Sequence, residues 1–203
     1  MKFTHIIIFA KAPQPGFAKT RLIPALGAKK AAELAKLMLF DTLTMAVAAC
    51  IGPVELCVTP EINQAAWRGI QLPPDITISD QGEGGLGARL ERASKRALTN
   101  AEGILLIGTD CVEMSSSLLC EAAQALQERD AVIHCTADGG YALLGIKRFE
   151  PLLFSNMPWS TDAVASMTIA RIGQLGWSVH VGHTLHDVDE PEDLKYVPIK
   201  WQI

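Results

Sequence analysis

The sequence has no long apolar run, no close pair of cysteines and no excess of positive charge. No apolar run approaches the roughly 20 residues that a membrane-spanning helix needs, and the run that begins at His5 is too short for a secretory signal. The five cysteines are an odd set without a Cys-x-x-Cys pair, which argues against disulfides and structural zinc and for a reducing cytoplasm. The formal net charge of −4 does not suit a nucleic-acid backbone. We therefore expect a cytoplasmic protein with no membrane span and no nucleic-acid partner.

Several catalytic signatures are absent too. The glycine-rich stretch at residues 81–89 is not followed by Gly-Lys-Ser/Thr, so it is not a Walker loop, and it does not fit a dinucleotide fingerprint. The sequence contains no Gly-x-Ser-x-Gly nucleophile elbow. No repeat, low-complexity tract or linker divides the 203 residues, so we expect residues 1–203 to form a single domain. The residues do not indicate an oligomeric state.

Strand patterns alternate with helix patterns along the chain. Strands are predicted at residues 3–10, 54–59, 76–79, 103–108, 131–135, 141–146 and 177–182. Helices are predicted at residues 28–49, 61–69, 88–100, from 115 or 116 to 129, 160–175 and from 191 onward. Repeated strand–helix units predict an α/β fold with three layers, α/β/α, around a mostly parallel sheet. The Asp-Gly-Gly turn at 138–140 suggests that one strand runs antiparallel.

Three cations, Lys11, Lys19 and Arg21, lie in the loop after the first predicted strand, which also contains Gly16. Cations this close repel one another unless an anion lies between them. Open α/β sheets bind ligands at the carboxyl ends of their strands. The loop therefore favours a polyphosphate site, although an ordinary surface loop with solvated cations would contain the same residues.

Asp110 follows the most apolar predicted strand, at the carboxyl edge of the sheet. A carboxylate that faces a diphosphate is the usual way in which Mg²⁺ or Mn²⁺ is held. The alternative is an aspartate that only caps the turn after the strand. We favour a metal ligand because the cation loop should face the same edge.

Asp187 and Asp189 alternate with Val188 in an extended segment, so both should project to one side. Either could supply a second carboxylate for the metal ion. Asp189 could instead interact favourably with the dipole of the next helix, which Pro191 opens. Asp187 lies too far upstream for that role.

Three further stretches have a structural and a functional interpretation. The glycines between Gln81 and Arg89 could let backbone amides contact a base or a phosphate, and Arg89 is either a ligand contact or a helix-surface cation. The Asp-Gly-Gly-Tyr turn at 138–141 permits close approach of a ligand, but on spacing alone we favour a plain hairpin. Trp-Ser-Thr at 159–161 could present amides to a ligand, although ordinary helix capping by Ser160 is the favoured interpretation.

Six of these motifs occur together in a characteristic order. They are Phe-Ala-Lys-Ala-Pro-x-Pro-Gly-x-x-Lys-Thr-Arg-Leu at 9–22, Gln-Gly…Leu-Gly-x-Arg at 81–89, Gly-Thr-Asp-Cys at 108–111, Asp-Gly-Gly-Tyr at 138–141, Trp-Ser-Thr at 159–161 and Asp-Val-Asp-x-Pro-Glu-Asp-Leu at 187–194. Over nearly the whole chain the set resembles the glycosyltransferase-A-like family DUF2064, the radical-SAM/selenodomain-associated transferases. That family belongs to the nucleotide-diphospho-sugar transferase superfamily, so the resemblance implies a Rossmann-like, glycosyltransferase-A-like fold.

The resemblance also implies roles for individual residues. For the nucleotide, it implies one group of residues at the phosphates, Lys11, Gly16, Lys19 and Arg21. It implies a second group at the nucleoside, Gln81, Gly82 and Arg89. Those implied for Mg²⁺ or Mn²⁺ are Asp110 with Asp187 or Asp189. Those implied for the substrate are Asp138, Gly139, Gly140, Tyr141, Trp159, Ser160 and Thr161. The candidate catalytic residues are Asp110, Asp138 and Lys19.

The sequence departs from the family pattern at two positions. Val112 stands where the family usually has proline after Cys111, so this turn is expected to be looser. Glu190 stands where the family usually has Ser or Thr before Pro191, so the last helix is expected to lose a cap.

The resemblance leaves the reaction type open. Glycosyltransferases of this fold often carry two aspartates one residue apart at the metal strand, whereas only Asp110 is acidic here, as in the related nucleotidyltransferases. The leading hypothesis is a metal-dependent transferase that uses a nucleoside-diphosphate sugar and a small-molecule acceptor. The alternatives are a nucleotidyltransferase, which uses a nucleoside triphosphate and releases pyrophosphate, and a nucleotide-binding protein without turnover.

Overall fold

A mixed seven-stranded sheet with the strand order β3-β2-β1-β4-β6-β5-β7 organises the chain in this computed structural model, which describes residues 3–201 and 203. The strands are Thr4–Lys11 (β1), Val54–Thr59 (β2), Thr77–Asp80 (β3), Gly103–Ile107 (β4), Ala131–Thr136 (β5), Tyr141–Ile146 (β6) and Val179–Leu185 (β7). The α-helices are Ile23–Ala48 (α1), Leu86–Ala97 (α2), Ser116–Glu128 (α3) and Val164–Gln174 (α4). In the described part of the chain, no helix combines the length and apolarity needed to cross a bilayer.

The pairing of the strands confirms a mostly parallel sheet with an antiparallel member. Strand β1 pairs in parallel with β2 and β4, and β7 pairs in parallel with β5. Strand β6 is antiparallel to both β4 and β5, because the tight turn at residues 137–140 reverses the chain after β5. The carboxyl ends of β1, β2, β3, β4, β5 and β7 therefore meet at one edge of the sheet.

The helices cover both faces of the sheet. On β1, Ile6 and Ile8 pack in one apolar cluster with residues of α1 and α3, whereas Ile7 packs in a second cluster with residues of α2 and α4. All three isoleucines are fully buried. The alternation of side chains along a strand thus fills both cores of a three-layer α/β/α fold.

Two predicted helices are shorter than expected. The helix expected at 61–69 is only a short 3-10 turn, Ala65–Trp67, because buried Trp67 is anchored by a hydrogen bond from its indole nitrogen to the carbonyl of Pro60. The helix expected from 160 begins at Val164. Ser160 has a left-handed φ of 64°, so the prediction that it caps this helix was wrong.

The end of the chain also differs from expectation. The last strand was expected from residue 177, but β7 begins at Val179. The preceding residue, Ser178, donates hydrogen bonds from its backbone N–H and its hydroxyl to the carboxylate of Asp130. The element that begins at Pro191 is a 3-10 helix, Pro191–Tyr196. The start of this helix is capped, because the carboxylate of Asp193 accepts hydrogen bonds from the backbone N–H groups of Asp189 and Glu190. The expected loss of a cap was therefore wrong.

Candidate functional site

A cleft of about 960 Å³ opens at the carboxyl edge of the sheet. Most of the candidate residues line it: Lys11, Lys19, Arg21, Gln81, Arg89, Asp110, Asp138, Gly140, Tyr141, Trp159, Ser160, Thr161, Asp187 and Asp189. Three candidates, Gly16, Gly82 and Gly139, are not among the lining residues. The sheet therefore brings together segments that are separated by more than a hundred residues in the sequence.

Lys19 lines this cleft and lies between two of its carboxylates. Its backbone has a left-handed φ of 49°, and its side chain is only 6% exposed. The ammonium group donates hydrogen bonds to Asp110 at 2.5 Å, to Asp189 at 2.9 Å and to the carbonyl of Val188 at 2.7 Å. Burial disfavours the charged form, but the two carboxylates outweigh it and raise the pKa of Lys19. Lys19 is therefore a buried, paired cation, not the solvated one that a surface loop would present.

The carboxylates of Asp110 and the 187–189 segment converge. The N–H of Val188 donates to the carbonyl of Asp110 at 2.8 Å, and Cys111 forms an isolated antiparallel bridge with Asp187. Val188 is fully buried, so Asp187 and Asp189 project to the opposite side, toward the cleft. The expected alternation along this segment is what the structure shows.

Asp187 lies in a strongly negative environment. Burial, and then the charges of Asp110, Asp189 and Asp138, raise its pKa to about 7, although Lys19 opposes the shift. Carboxylates held this close repel unless a proton or a cation compensates them.

This donor set can be tested against a divalent cation. Carboxylate oxygens are the ligands that Mg²⁺ and Mn²⁺ prefer. Asp189 and one oxygen of Asp110 already accept hydrogen bonds from Lys19, so Asp187 and the other oxygen of Asp110 are the candidate ligands. Among the described residues no group of three or more His, Cys, Asp or Glu side chains is arranged to hold a metal ion. Two carboxylates supply only part of the coordination shell of Mg²⁺, so this pair fits a cation whose remaining ligands come from phosphate groups and water.

Gln81 is held by three hydrogen bonds at one side of the cleft. Its buried side chain donates to the carbonyls of Ala10 at 3.2 Å and Cys57 at 3.0 Å, and it accepts a hydrogen bond from Arg89 at 3.0 Å. Arg89 also donates to the carbonyl of Gly84 at 2.8 Å. These contacts link β1, β2 and α2, so Gln81 has a structural function in addition to lining the cleft.

Arg92 is a residue that sequence analysis missed. Its guanidinium group donates to the carbonyls of Gln81 and Glu83, and it lies directly against Gly82, whose φ is 70°. Gly82 suits this loop because L side chains rarely adopt its positive φ, and a side chain there would also displace the guanidinium group of Arg92. The only signal in the sequence is the position of Arg92 one helical turn after Arg89.

The 138–141 turn has the hairpin structure that its spacing favoured. It is a hairpin turn, in which one oxygen of Asp138 accepts from the Thr136 hydroxyl at 2.5 Å and from the N–H of Gly140 at 3.1 Å. Gly139 has a φ of 89° and lies against the backbone of Asp162. Asp138 and Gly140 nonetheless line the cleft.

Tyr141 and Trp159 form an aromatic pair beside this turn, with ring centroids 6.4 Å apart in an edge-to-face arrangement. The Tyr141 hydroxyl is buried and has no hydrogen-bond partner among the described residues. Burial raises the pKa of this hydroxyl, so it is a neutral donor. Two apolar residues at the cleft, Phe17 and Leu86, are 74% and 45% exposed; neither was predicted as a site residue.

The chain is similar to known proteins in sequence and in fold. A family model described as "Uncharacterized protein conserved in bacteria (DUF2064)" matches residues 42–161, more than half of the chain. The structure of a proposed nucleotide-diphospho-sugar transferase from Desulfovibrio desulfuricans G20 is 29% identical, covers 97% of this chain and 87% of that protein, and has a TM-score of 0.88.

More distant structures share the fold alone. One is the 4-diphosphocytidyl-2C-methyl-D-erythritol synthase of Anaerococcus prevotii DSM 20548, with 16% identity, a TM-score of 0.64 and coverage of 100% of this chain and 99% of that one. Another is Rv0371c of Mycobacterium tuberculosis H37Rv in complex with manganese, with 15% identity, a TM-score of 0.59 and coverage of 97% and 98%. The comparison of the sequence with curated proteins found no match.

Proposed function

This chain belongs to the DUF2064 family, and we propose that it is a transferase that uses a nucleoside-diphosphate sugar as donor and requires Mg²⁺ or Mn²⁺. The observation that carries the proposal is the convergence of Lys11, Arg89 and the Asp110–Asp187 pair in one cleft at the carboxyl edge of the sheet. The nucleotide-diphospho-sugar transferase fold of the D. desulfuricans protein supports the donor class.

Each group of residues has a part in this reaction. Lys11 and Arg21 contact the diphosphate, and the loop that Gln81 and Arg92 hold in place receives the nucleoside. Asp110 and Asp187 would hold the divalent cation, which would neutralise negative charge on the departing diphosphate. The manganese in a protein of the same fold supports this choice of ion.

Asp138 is the candidate base. Because one of its oxygens accepts from Thr136 and Gly140, the carboxylate is oriented and its second oxygen is available to an acceptor hydroxyl. In the transfer, a bond forms between the acceptor oxygen and the anomeric carbon of the sugar. The bond from that carbon to the diphosphate oxygen breaks, and its electron pair leaves with the diphosphate. The acceptor proton passes to Asp138 and then to water.

Nucleotidyl transfer is the second candidate function. It is favoured by the single aspartate after β4, where Gly108 and Thr109 precede Asp110. In that reaction an acceptor phosphate attacks the α-phosphate of a nucleoside triphosphate and pyrophosphate leaves. The two functions are distinguished by their products.

The test is a screen of nucleotides and of UDP-, GDP- and ADP-sugars by thermal shift with Mn²⁺, followed by product analysis. A ligand at 100 times its dissociation constant should add about 2.7 kcal/mol of stability. Release of a nucleoside diphosphate supports glycosyl transfer, and release of pyrophosphate supports nucleotidyl transfer. Binding without either product in the presence of candidate acceptors would support a protein that only binds nucleotides.

Two variants sharpen the test. Asp110→Asn should abolish metal-dependent turnover because it removes a metal ligand, whereas the exposed Asp75, which does not line the cleft, should tolerate Asp75→Asn. Equal activity of Asp110→Asn and the unmodified protein would show that the metal assignment is wrong.

A further inference from the structure

The wall of the cleft opposite the nucleotide loops carries carboxylates and hydroxyls. This acceptor wall, residues 138–141 and 159–162, contains Asp138 and Asp162 together with Tyr141, Trp159, Ser160 and Thr161, and these six residues line the cleft. Within the acceptor wall no residue is Lys or Arg.

The cations of the cleft lie elsewhere. Lys11 ends β1, and Arg89 lies on α2, which follows β3, so both belong to the β1–β3 half of the sheet. Lys19 and Arg21 lie between the two halves, where Lys19 is paired with Asp110 and Asp189, and Arg21 contacts Glu190 at 3.3 Å. The lining cations are therefore at the nucleotide side or already paired with carboxylates.

A phosphorylated or carboxylated acceptor is unsuited to this wall. Proteins bind phosphate and carboxylate groups with Arg, Lys or clustered backbone N–H groups. An anion placed beside Asp138 and Asp162 would instead meet like charges, and like-charge juxtaposition is a common means of rejecting a wrong partner.

The wall is suited to a compound with several hydroxyl groups. The free oxygen of Asp138 can accept a hydrogen bond, and the buried Tyr141 hydroxyl lacks a partner among the described residues, which is unfavourable until a ligand or water supplies one. The Trp159 ring offers an apolar face to the carbon skeleton beside these polar groups.

We propose that the acceptor is an uncharged polyhydroxylated compound that binds at the acceptor wall through Asp138 and Tyr141, and that the wall rejects phosphorylated acceptors. The proposal rests on the function proposed above. It adds the chemical class of the acceptor, and it favours transfer to a hydroxyl group over transfer to a phosphate.

The test compares matched neutral and phosphorylated acceptors. With the nucleotide sugar that gives the largest thermal shift and with Mn²⁺ present, release of nucleoside diphosphate is measured with glucose against glucose 6-phosphate and with glycerol against glycerol 3-phosphate. The neutral member of at least one pair should accelerate release about tenfold more than its phosphorylated partner, which corresponds to about 1.4 kcal/mol.

Two charge variants test whether the acceptor wall causes the preference for neutral over phosphorylated acceptors. Asp162→Lys places a cation there and should reduce the preference for the neutral acceptor about tenfold, whereas Asp75→Lys, on a surface away from the cleft, should leave the preference and the donor hydrolysis unchanged. Glucosamine, the cationic analogue of glucose, is measured in the same assay. A preference for the phosphorylated acceptors or for glucosamine would overturn the proposal, and so would the absence of acceleration by every compound. If no nucleotide binds at all, it is the proposed function that fails.

Discussion

The buried ammonium group of Lys19 compensates the charges of Asp110 and Asp189, with which it forms ion pairs of 2.5 and 2.9 Å. Lys19→Met keeps most of the length of the side chain but leaves these carboxylates and the Val188 carbonyl without their donor. Because both aspartates are partly exposed, water screens part of the loss. We expect the free energy of unfolding, measured by urea denaturation at neutral pH, to fall by about 1–3 kcal/mol.

Arg21→Met is the matched control for this substitution. The Arg21 side chain is 61% exposed, and its ion pair with Glu190 spans 3.3 Å at the surface. Such pairs contribute less than about 1 kcal/mol, so stability should change little. If both substitutions destabilise the protein equally, Lys19 does not have the compensating function that its contacts indicate.

Asp187 makes the stability of the metal-free protein depend on pH. Burial, followed by the charges of Asp110, Asp189 and Asp138, raises its folded-state pKa to about 7, compared with about 3.9 in an unfolded chain. Between these values the folded state binds more protons than the unfolded state. The stabilisation is therefore complete below about pH 4 and is lost as pH rises through about 7.

Asp187→Asn should remove this pH dependence. Relative to the unmodified protein, the variant should gain stability between about pH 5 and about pH 8, on the order of 2–4 kcal/mol. Thermal unfolding in the presence of a chelator measures the difference, and Asp75→Asn is the control. Parallel pH profiles for Asp187→Asn and the unmodified protein would contradict the assignment.

The hairpin turn between β5 and β6 supports the start of α4. Gly139 has a φ of 89°, and a Cβ there would overlap the backbone of Asp162. Its carbonyl accepts a hydrogen bond from the N–H of Ala165 at 2.9 Å. Gly139→Ala must displace the segment that leads into α4, and we expect a loss of about 1–3 kcal/mol in thermal or urea unfolding.

Gly173→Ala is the control, and it should have the opposite sign. Gly173 lies within α4, is exposed, and has open space where the Cβ of an alanine would lie. Alanine has a higher helix propensity than glycine, so this substitution should stabilise the protein by about 0.5–1 kcal/mol. Destabilisation by both substitutions would show that α4 is sensitive to any added methyl group and that the turn has no special constraint.

The regular elements were the part of the fold that sequence patterns predicted well. The continuous apolar runs in β1 and β4 reflect strands that are buried on both faces, and the Asp-Gly-Gly turn identified the antiparallel reversal. The errors lie where a side chain contacts something distant in sequence. Ser178, for example, is held by Asp130, from which it is separated by 48 positions in the sequence, and this contact, not local propensity, delays the start of β7.

Both faces of the sheet should be equally sensitive to substitution in its centre. Ile7 and Ile8 are neighbours on β1, are fully buried, and belong to the two different apolar clusters. We expect Ile7→Ala and Ile8→Ala each to destabilise the protein by about 2–5 kcal/mol in urea unfolding. Ile78→Ala, at the edge strand β3 where the side chain is 41% exposed, should change stability by about 1 kcal/mol or less. If one of the central substitutions is as mild as Ile78→Ala, one layer of helices does not cover the sheet.

The sequence by itself determined the fold class, the family and the identity of most of the charged residues that line the cleft. Strand and helix periodicity, turn residues and ordered motifs are local signals, and local signals suffice for these conclusions. The sequence also indicated that Asp187 and Asp189 project to one side, because alternation along an extended chain depends only on the neighbouring residues.

Only the tertiary structure decided what each charge does. Lys19 and Arg21 are two residues apart and chemically similar, yet Lys19 is buried between carboxylates of distant segments and Arg21 remains at the surface. Gln81 and Gly82 likewise have structural functions that depend on β1, β2 and Arg92. Burial, pairing and the resulting pKa shifts arise from segments that meet only when the sheet assembles, and the distribution of charge around the cleft follows from the strand order.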